Sequence, residues 1–129
     1  MNKFQAQHLY WNSFGLMAFN ELTVPDVVPD GRGGTKPLEP PFITYEPVTG
    51  RLDGTVIQNA RVYDRGKSWS RIMQIVTDIE RHADKQINVD GGAMKVRVPL
   101  SNFAQPLDDP TDDQLRTMVL QVEIEFLTY

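Results

Sequence analysis

Within the last fifteen residues, Leu115 to Tyr129, apolar and polar side chains alternate strictly from Leu120 to Phe126. Met118, Leu120, Val122, Ile124 and Phe126 share one parity, and Gln121, Glu123 and Glu125 the other. A period of two puts successive side chains on opposite faces of an extended chain, so the segment predicts a long β-strand with one face toward a core. Such a strand needs partners for its backbone groups and a layer over its apolar side. The chain is expected to end in this sheet, without a tail.

Three other segments carry strand signals. Pro41-Phe42-Ile43-Thr44-Tyr45-Glu46 is rich in β-formers and is stopped by Pro47; Val48-Thr49-Gly50-Arg51-Leu52-Asp53-Gly54 supplies turn residues, and the pattern resumes from Thr55 to Tyr63. This predicts a β-hairpin with a wide turn. In its second strand Val56, Ala60 and Val62 oppose Ile57, Asn59, Arg61 and Tyr63, so both faces are mixed and contact on two sides is expected. After the turn residues Asn88-Val89-Asp90-Gly91-Gly92, a half-buried strand is predicted in which Met94, Val96, Val98 and Leu100 alternate with Lys95, Arg97 and Pro99.

Two helices are predicted to cover the sheet. Ser68 or Ser70 can cap one that runs to about Ala83, where Ile72, Ile75, Val76, Ile79 and Ala83 form an apolar stripe, Trp69 plugs its edge, and Asp78, Glu80, Arg81, Asp84 and Lys85 face water. Residues 3–20 give the other, with Phe4, Leu9, Tyr10, Phe14, Leu16 and Met17 on a broad apolar side; Gly15 should end or bend it near Ser13-Phe14-Gly15. The fold class implied is α+β: one small domain over residues 1–129, with a mostly antiparallel sheet of about four strands and two helices. A chain of 129 residues can bury roughly two-thirds of its unfolded surface, enough for a core without staples.

Residues 23–41 interrupt this pattern with Pro25, Pro29, Pro37, Pro40 and Pro41 and with Gly31, Gly33 and Gly34. Proline removes a backbone donor and fixes φ, so the stretch is expected to be a long loop within the domain, mobile or ordered by a partner. It is either a solvated insertion or a docking element, with Gly31, Arg32, Gly33, Gly34, Thr35 and Lys36 as the docking candidates.

Residue chemistry points away from an enzyme. There is no cysteine, so neither a disulfide framework nor a thiolate metal site is expected, and assembly in a cytoplasm is the default. The polar start Met1-Asn2-Lys3-Phe4-Gln5-Ala6-Gln7-His8 does not resemble a signal peptide, and no apolar run approaches the roughly 20 residues that cross a bilayer. His8 and His82 lack a second ligand at zinc spacing, and Ser13, Ser68, Ser70 and Ser101 lack a nucleophile-elbow pattern. The acidic run 108–113 has no calcium-loop spacing and reads as a solvated turn, while the Gly31 to Lys36 stretch lacks the preceding strand and Gly-Lys-Ser/Thr order of a phosphate loop. No catalytic residue, cofactor or metal is therefore assigned. A net charge of −4 argues against tight nonspecific binding to nucleic acid.

The charged residues of the sheet form the more useful constellation. Arg61, Lys95 and Arg97 on inner strands could face Glu123 and Glu125 on the terminal strand, as ion pairs within the chain or as a head-to-tail surface between subunits of a ring.

Taken in order, Tyr10-Trp11-Asn12-Ser13-Phe14-Gly15-Leu16, Thr23-Val24-Pro25-Asp26, Pro41-Phe42-Ile43-Thr44-Tyr45, the lead-in Lys67-Ser68-Trp69-Ser70 and Val122-Glu123-Ile124-Glu125-Phe126-Leu127 resemble the tail terminator, or tail-completion, proteins of long-tailed bacteriophages, the group related to the lambda-type terminator. The stretch from Val27 to Leu38 is longer than the link that this resemblance implies. What it implies is an α+β virion subunit that forms a homohexameric ring on the head-proximal end of a tail tube. Such a ring stops tube polymerisation and offers a surface to the head connector or stopper, and DNA passes through it without specific binding. The expected partners are copies of itself, the tube protein and the head-side connector, with no membrane. A head-closure, neck, minor tail or minor capsid component is the alternative, and a small hydrolase or nucleotide-binding regulator is a third reading.

Overall fold

The computed structural model describes residues 1–49, 54–99, 102–108 and 111–128. The turn expected around 50–53, together with Leu100, Ser101, Asp109, Pro110 and Tyr129, lies outside the described residues. In chain order the elements are α1 (Lys3–Asn12), β1 (Ala18–Asn20), a 3-10 turn (Glu21–Thr23), β2 (Val27–Pro29), β3 (Thr35–Pro37), β4 (Phe42–Tyr45), β5 (Thr55–Arg65), α2 (Ser70–Arg81), β6 (Lys85–Val89), β7 (Gly92–Arg97), β8 (Ala104–Leu107) and β9 (Leu115–Thr128).

The alternating C-terminal segment is the hub of the sheet. Along one edge β9 pairs antiparallel with β5 from Leu115 to Glu125; its other edge is shared by β8, opposite residues 117–120, and β7, opposite residues 123–128. β4 then adds to β5, β1 to β4 in parallel, and β6 to β7. The result is a seven-stranded mixed sheet, curled into a half-barrel, and it overturns the expected α+β domain built on about four mostly antiparallel strands. The additional strands β1, β6 and β8 are short and poor in pattern: Ala18-Phe19-Asn20, Lys85-Gln86-Ile87-Asn88-Val89 and Ala104-Gln105-Pro106-Leu107. Strands of this kind form because a neighbour offers a ladder and a pleated surface, not because their own residues demand it. Proline is tolerated in β8 because such a strand need not donate on both sides.

β1 and β6 end the sheet, and α1 packs against both, so the helix closes the seam of the curled sheet. Its start is set by a capping box: the Asn2 side chain accepts from Gln5 N at 2.8 Å and the Gln5 side chain accepts from Asn2 N at 2.9 Å. The helix stops at Asn12 instead of continuing to residue 20, and Gly15 takes φ +84°, a left-handed turn that glycine adopts without steric cost. The chain then enters β1 directly, with Ile43 N donating to Met17 O at 2.9 Å.

Because α1 sits in a seam, it buries polar as well as apolar residues: Ala6, Gln7, Tyr10 and Trp11 are all at most 1 % exposed. The polar atoms form one connected network. An indole can only donate, so Trp11 Nε1, 2.9 Å from Gln58 Oε1, fixes which end of the Gln58 amide faces it. The amide nitrogen of Gln58 then donates to Gln7 Oε1 at 3.0 Å and to Glu46 O at 2.8 Å. Gln7 completes the circuit, accepting from Val48 N at 3.0 Å and donating to Val48 O at 2.6 Å. Helix, central strand and the connection after β4 are thereby locked together, with each buried donor matched to an acceptor.

α2 covers β5 and β9 on the same side. Ile72, Val76, Ile79 and the following Ala83 are buried and Ile75 is half-buried, as the stripe predicts. Burying an isoleucine of this kind contributes about 1.5–3 kcal/mol relative to leaving it exposed. The helix begins at Ser70 with Trp69 at the cap position and no side-chain cap; Ser68 Oγ instead accepts from Ser70 N at 3.1 Å. Its first turn is held by Arg71, which forks onto both oxygens of the buried Asp64 on β5, and that guanidinium keeps the Asp64 carboxyl below the ordinary carboxylate range.

Residues 23–41 differ from the expected loop. Val27, Val28 and Pro29 of β2 pair antiparallel with Pro37, Lys36 and Thr35 of β3, forming a separate two-stranded ribbon that joins no other strand. Prolines at the ends of a three-residue ladder remove few hydrogen bonds, which is why the ribbon survives a composition that reads as irregular.

Candidate functional site

Two surfaces gather the residues singled out by sequence: the sheet face turned away from the helices, and the β2–β3 arm. On the sheet, the residues that alternate with the core line up across strands in register. At one end lie Phe42, Tyr63, Thr117 and Leu107, consecutive partners across β4, β5, β9 and β8. Phe42 stacks on Tyr63 with ring centres 5.0 Å apart, and Phe19 from β1 meets Phe42 edge-on at 6.2 Å. The next row is Thr44, Arg61, Val119 and Gln105, then Asn59 with Gln121, then Ile57, Glu123 and Arg97, and finally Thr55, Glu125, Lys95 and Gln86. The face is thus graded from an aromatic row at one end to ion-pair rows at the other.

That register decides what the charged candidates can do. Arg97 reaches Glu123 at 3.1 Å and Glu125 at 3.6 Å, so these three are engaged within one chain. All are partly exposed, and such pairs contribute about 0–1 kcal/mol each. Lys95 lies opposite Glu125 in register and forms no ion pair among the described residues. Arg61 sits on the same face, next to the aromatic row and well away from both glutamates, and its guanidinium has no hydrogen-bond or ion-pair partner among the described residues. The structure therefore gathers Arg97, Glu123, Glu125 and Lys95 and sets Arg61 apart.

The docking-loop candidates form the tip of the arm. Asp30 closes it, accepting from Arg32 N at 2.7 Å and Gly34 N at 3.1 Å through one carboxylate oxygen while its own N–H donates to Gly34 O at 3.1 Å. Those backbone donors hold the Asp30 carboxyl below its ordinary range. Gly31 and Gly33 take φ near +80° and +86°, the left-handed conformation that this turn needs. The amides that a phosphate would require are already turned to Asp30, and no helix follows them, so the resemblance to a phosphate loop ends at composition. Arg32, Thr35 and Lys36 are exposed.

Sequence reasoning did not single out the base of the arm. Leu22 is 79 % exposed, Val27 51 % and Val24 39 %, a concentration of uncovered apolar side chains on a segment stiffened by proline. Its signal was Leu22-Thr23-Val24 and Val27-Val28, apolar residues at the start of a stretch read as a solvated insertion or a docking element, in which Thr23-Val24-Pro25-Asp26 served only the resemblance and the docking candidates lay at the tip.

A cleft of about 470 Å³ lies between the ends of α1 and α2 and the start of β6, lined in part by Ser13, Phe14, Ile79 and Lys85. Lys85 Nζ donates to Ser13 Oγ at 2.6 Å and lies 4.5 Å from the Phe14 ring centre, and burial holds its ammonium below the ordinary lysine range. Ser13 Oγ in turn donates to Tyr10 O at 2.6 Å, and Tyr10 donates its hydroxyl to Ala83 O at 2.8 Å. The serine proton is thus committed to a helix-end carbonyl and the lysine protons to the serine oxygen, an arrangement that ties α1 to the seam rather than activating a nucleophile. Among the described residues no three His, Asp or Glu side chains are grouped to hold a metal, and residues 111–113 of the acidic run form a turn in which Asp112 accepts from Gln114 N and Leu115 N and pairs with Arg65 at 2.9 Å.

Compared with known proteins, the chain matches no family model, no curated protein and no solved structure.

Proposed function

We propose that this chain is a structural virion protein of a long-tailed bacteriophage: a subunit that closes into a ring, a hexamer on the resemblance, at the head-proximal end of the tail tube, ending tube polymerisation and joining the tail to the head connector. The observation that carries this reading is the coexistence on one small subunit of an arm with exposed Leu22, Val24 and Val27 at its base and a graded, partly exposed sheet face turned away from the chain's own helices. Two distinct surfaces that fit one another give a head-to-tail contact, and such contacts close into rings when the rotation permits.

The segments behind the resemblance occupy packing positions suited to a structural role. Tyr10 and Trp11 lock α1 into the seam, Thr23-Val24-Pro25-Asp26 starts the arm, Phe42 to Tyr45 is β4, and residues 122–127 lie in β9 between β5 and β7. On this reading the subunit is assembled in the host cytoplasm and resides in the tail neck, with DNA passing through the opening without specific contact.

The test is the mass of the purified protein across concentration, followed by its effect on tube growth. Six copies of the 14.7 kDa chain give a ring of about 88 kDa, and adding it should stop polymerisation of the cognate tube protein at one end. A protein that leaves tube growth unchanged and binds the head-side connector instead belongs to the head-closure class. One that stays monomeric and binds neither refutes the ring.

A further inference from the structure

We propose that the arm of one copy lies across the aromatic row of the next copy's outward sheet face, so that the base of the arm, not its glycine-rich tip, makes the contact between subunits. The inference rests on the ring reading above and names its interface.

Two complementary patterns carry it. The receiving face holds the half-buried rings of Phe42 and Tyr63, the buried Thr117 and the exposed Leu107 in one row and, in the row beside it, an exposed guanidinium, Arg61, without a partner among the described residues. The arm presents Leu22, Val24 and Val27 with Asp26 between them, and that carboxylate forms no ion pair among the described residues. Apolar residues beside one uncompensated anion match an apolar row beside one uncompensated cation, the arrangement that fixes register across an interface. The acidic residues of the sheet cannot take the place of Asp26, because Glu123 and Glu125 are already held by Arg97.

Size and stiffness shape the contact. The base of the arm, residues 22–28, is smaller than the roughly 20–30 residues per side of a standard interface, so each contact is small and the ring gains from closing several of them at once. Its prolines and the Asp30-closed tip order it before contact, which lowers the conformational entropy lost on association. A contact between two different patches is heterologous, so each copy both gives an arm and receives one.

The chain has no cysteine, so engineered thiols report without background. Val24→Cys and Leu107→Cys chains, folded by circular dichroism, are mixed at high concentration and oxidised. A mixed disulfide dimer is expected, and the Val24→Cys, Leu107→Cys double variant should give a ladder of linked copies. In parallel, Arg61→Glu and Asp26→Arg should each weaken self-association on the order of tenfold, and the double exchange should restore it. A double variant that closes its disulfide within one monomer shows the arm folding onto its own face and overturns the proposal. So does a wild-type chain that stays monomeric at high concentration while the mixed Val24→Cys and Leu107→Cys chains give no mixed dimer, which would leave the face to a different partner. Rings that form without the mixed disulfide refute this interface and leave the ring reading standing; arm-linked rings that do not affect tube growth support the interface and refute the tube-terminating role.

Discussion

Replacing Gln58 by leucine should destabilise the protein by about 3 kcal/mol, a loss that should be less than additive with that of removing Trp11's donor. Gln58 is fully buried, and its removal orphans the Trp11 indole N–H, which has no exposure, and the Glu46 carbonyl, which belongs to an exposed residue. A buried unsatisfied donor costs about 1–3 kcal/mol, with the indole at the upper end and the carbonyl, which water can reach, at the lower. Gln7 Oε1 keeps its bond from Val48 N, so it adds little. Against a total stability of roughly 5–15 kcal/mol, the loss should lower the melting temperature by about 12 °C for a domain of this size. Trp11→Phe alone should cost about 2–3 kcal/mol, since it shrinks a core side chain and leaves Gln58 Oε1 unpaired. The double variant lacks both partners of that bond, so it should be at least about 1 kcal/mol more stable than the two single losses added together. Urea unfolding followed by far-ultraviolet circular dichroism measures all four proteins, with an unchanged m-value confirming a two-state comparison. Additive losses, or a Gln58→Leu loss below about 1 kcal/mol, would refute the claim that this network is satisfied and dry.

Arg71→Gln should destabilise the protein at neutral pH by leaving the buried Asp64 carboxylate without its fork, by about 1–3 kcal/mol. Because the Asp64 pKa is depressed in the folded state, the stability it adds is present above its unfolded value near 4 and lost as pH falls through the folded value, so wild type and variant should converge in acid denaturation curves. Gly92→Ala would place a Cβ 1.8 Å from Leu127 O, so β7 must move off β9; thermal melts should show a loss of at least about 1–3 kcal/mol, with reduced amide protection in both strands. Deleting residues 31–36 removes only the tip of a ribbon outside the main sheet, and should leave the melting temperature within about 2 °C while weakening docking to the tube or connector. Normal joining by that variant would return the tip to a solvated turn.

The legible parts of this fold are those with long, uninterrupted periods. The α2 stripe and the β9 alternation each commit many residues to one answer, and both elements lie where that pattern places them. The start of α1 is fixed by the Asn2 and Gln5 capping pair, a local signal that the periodicity reading did not use, and the broad apolar side read for residues 3–20 does not describe a helix that buries Gln7 beside Trp11 and leaves Phe4 and Leu9 exposed. Of the candidate site, Arg61, Lys95, Arg97, Glu123 and Glu125 were placed on one sheet face by parity, but parity does not say which carboxylate meets which cation. Asp30's role was hidden in the same way, because a side chain that caps its own turn looks, in sequence, like one more charge in a loop.

From the order of its residues alone, this chain determines one covering helix, one long strand, their apolar sides, and the absence of thiol chemistry. The tertiary structure decides the rest: that β9 carries three neighbours instead of one or two, that the sheet curls until α1 touches both of its ends, that Arg97 satisfies two glutamates, and that Arg61 and the base of the arm are left uncovered. The reason is that a period is a property of consecutive residues, whereas edge-strand pairing, curl and charge matching depend on which distant segments share a ladder, and that is settled only when all of them pack at once.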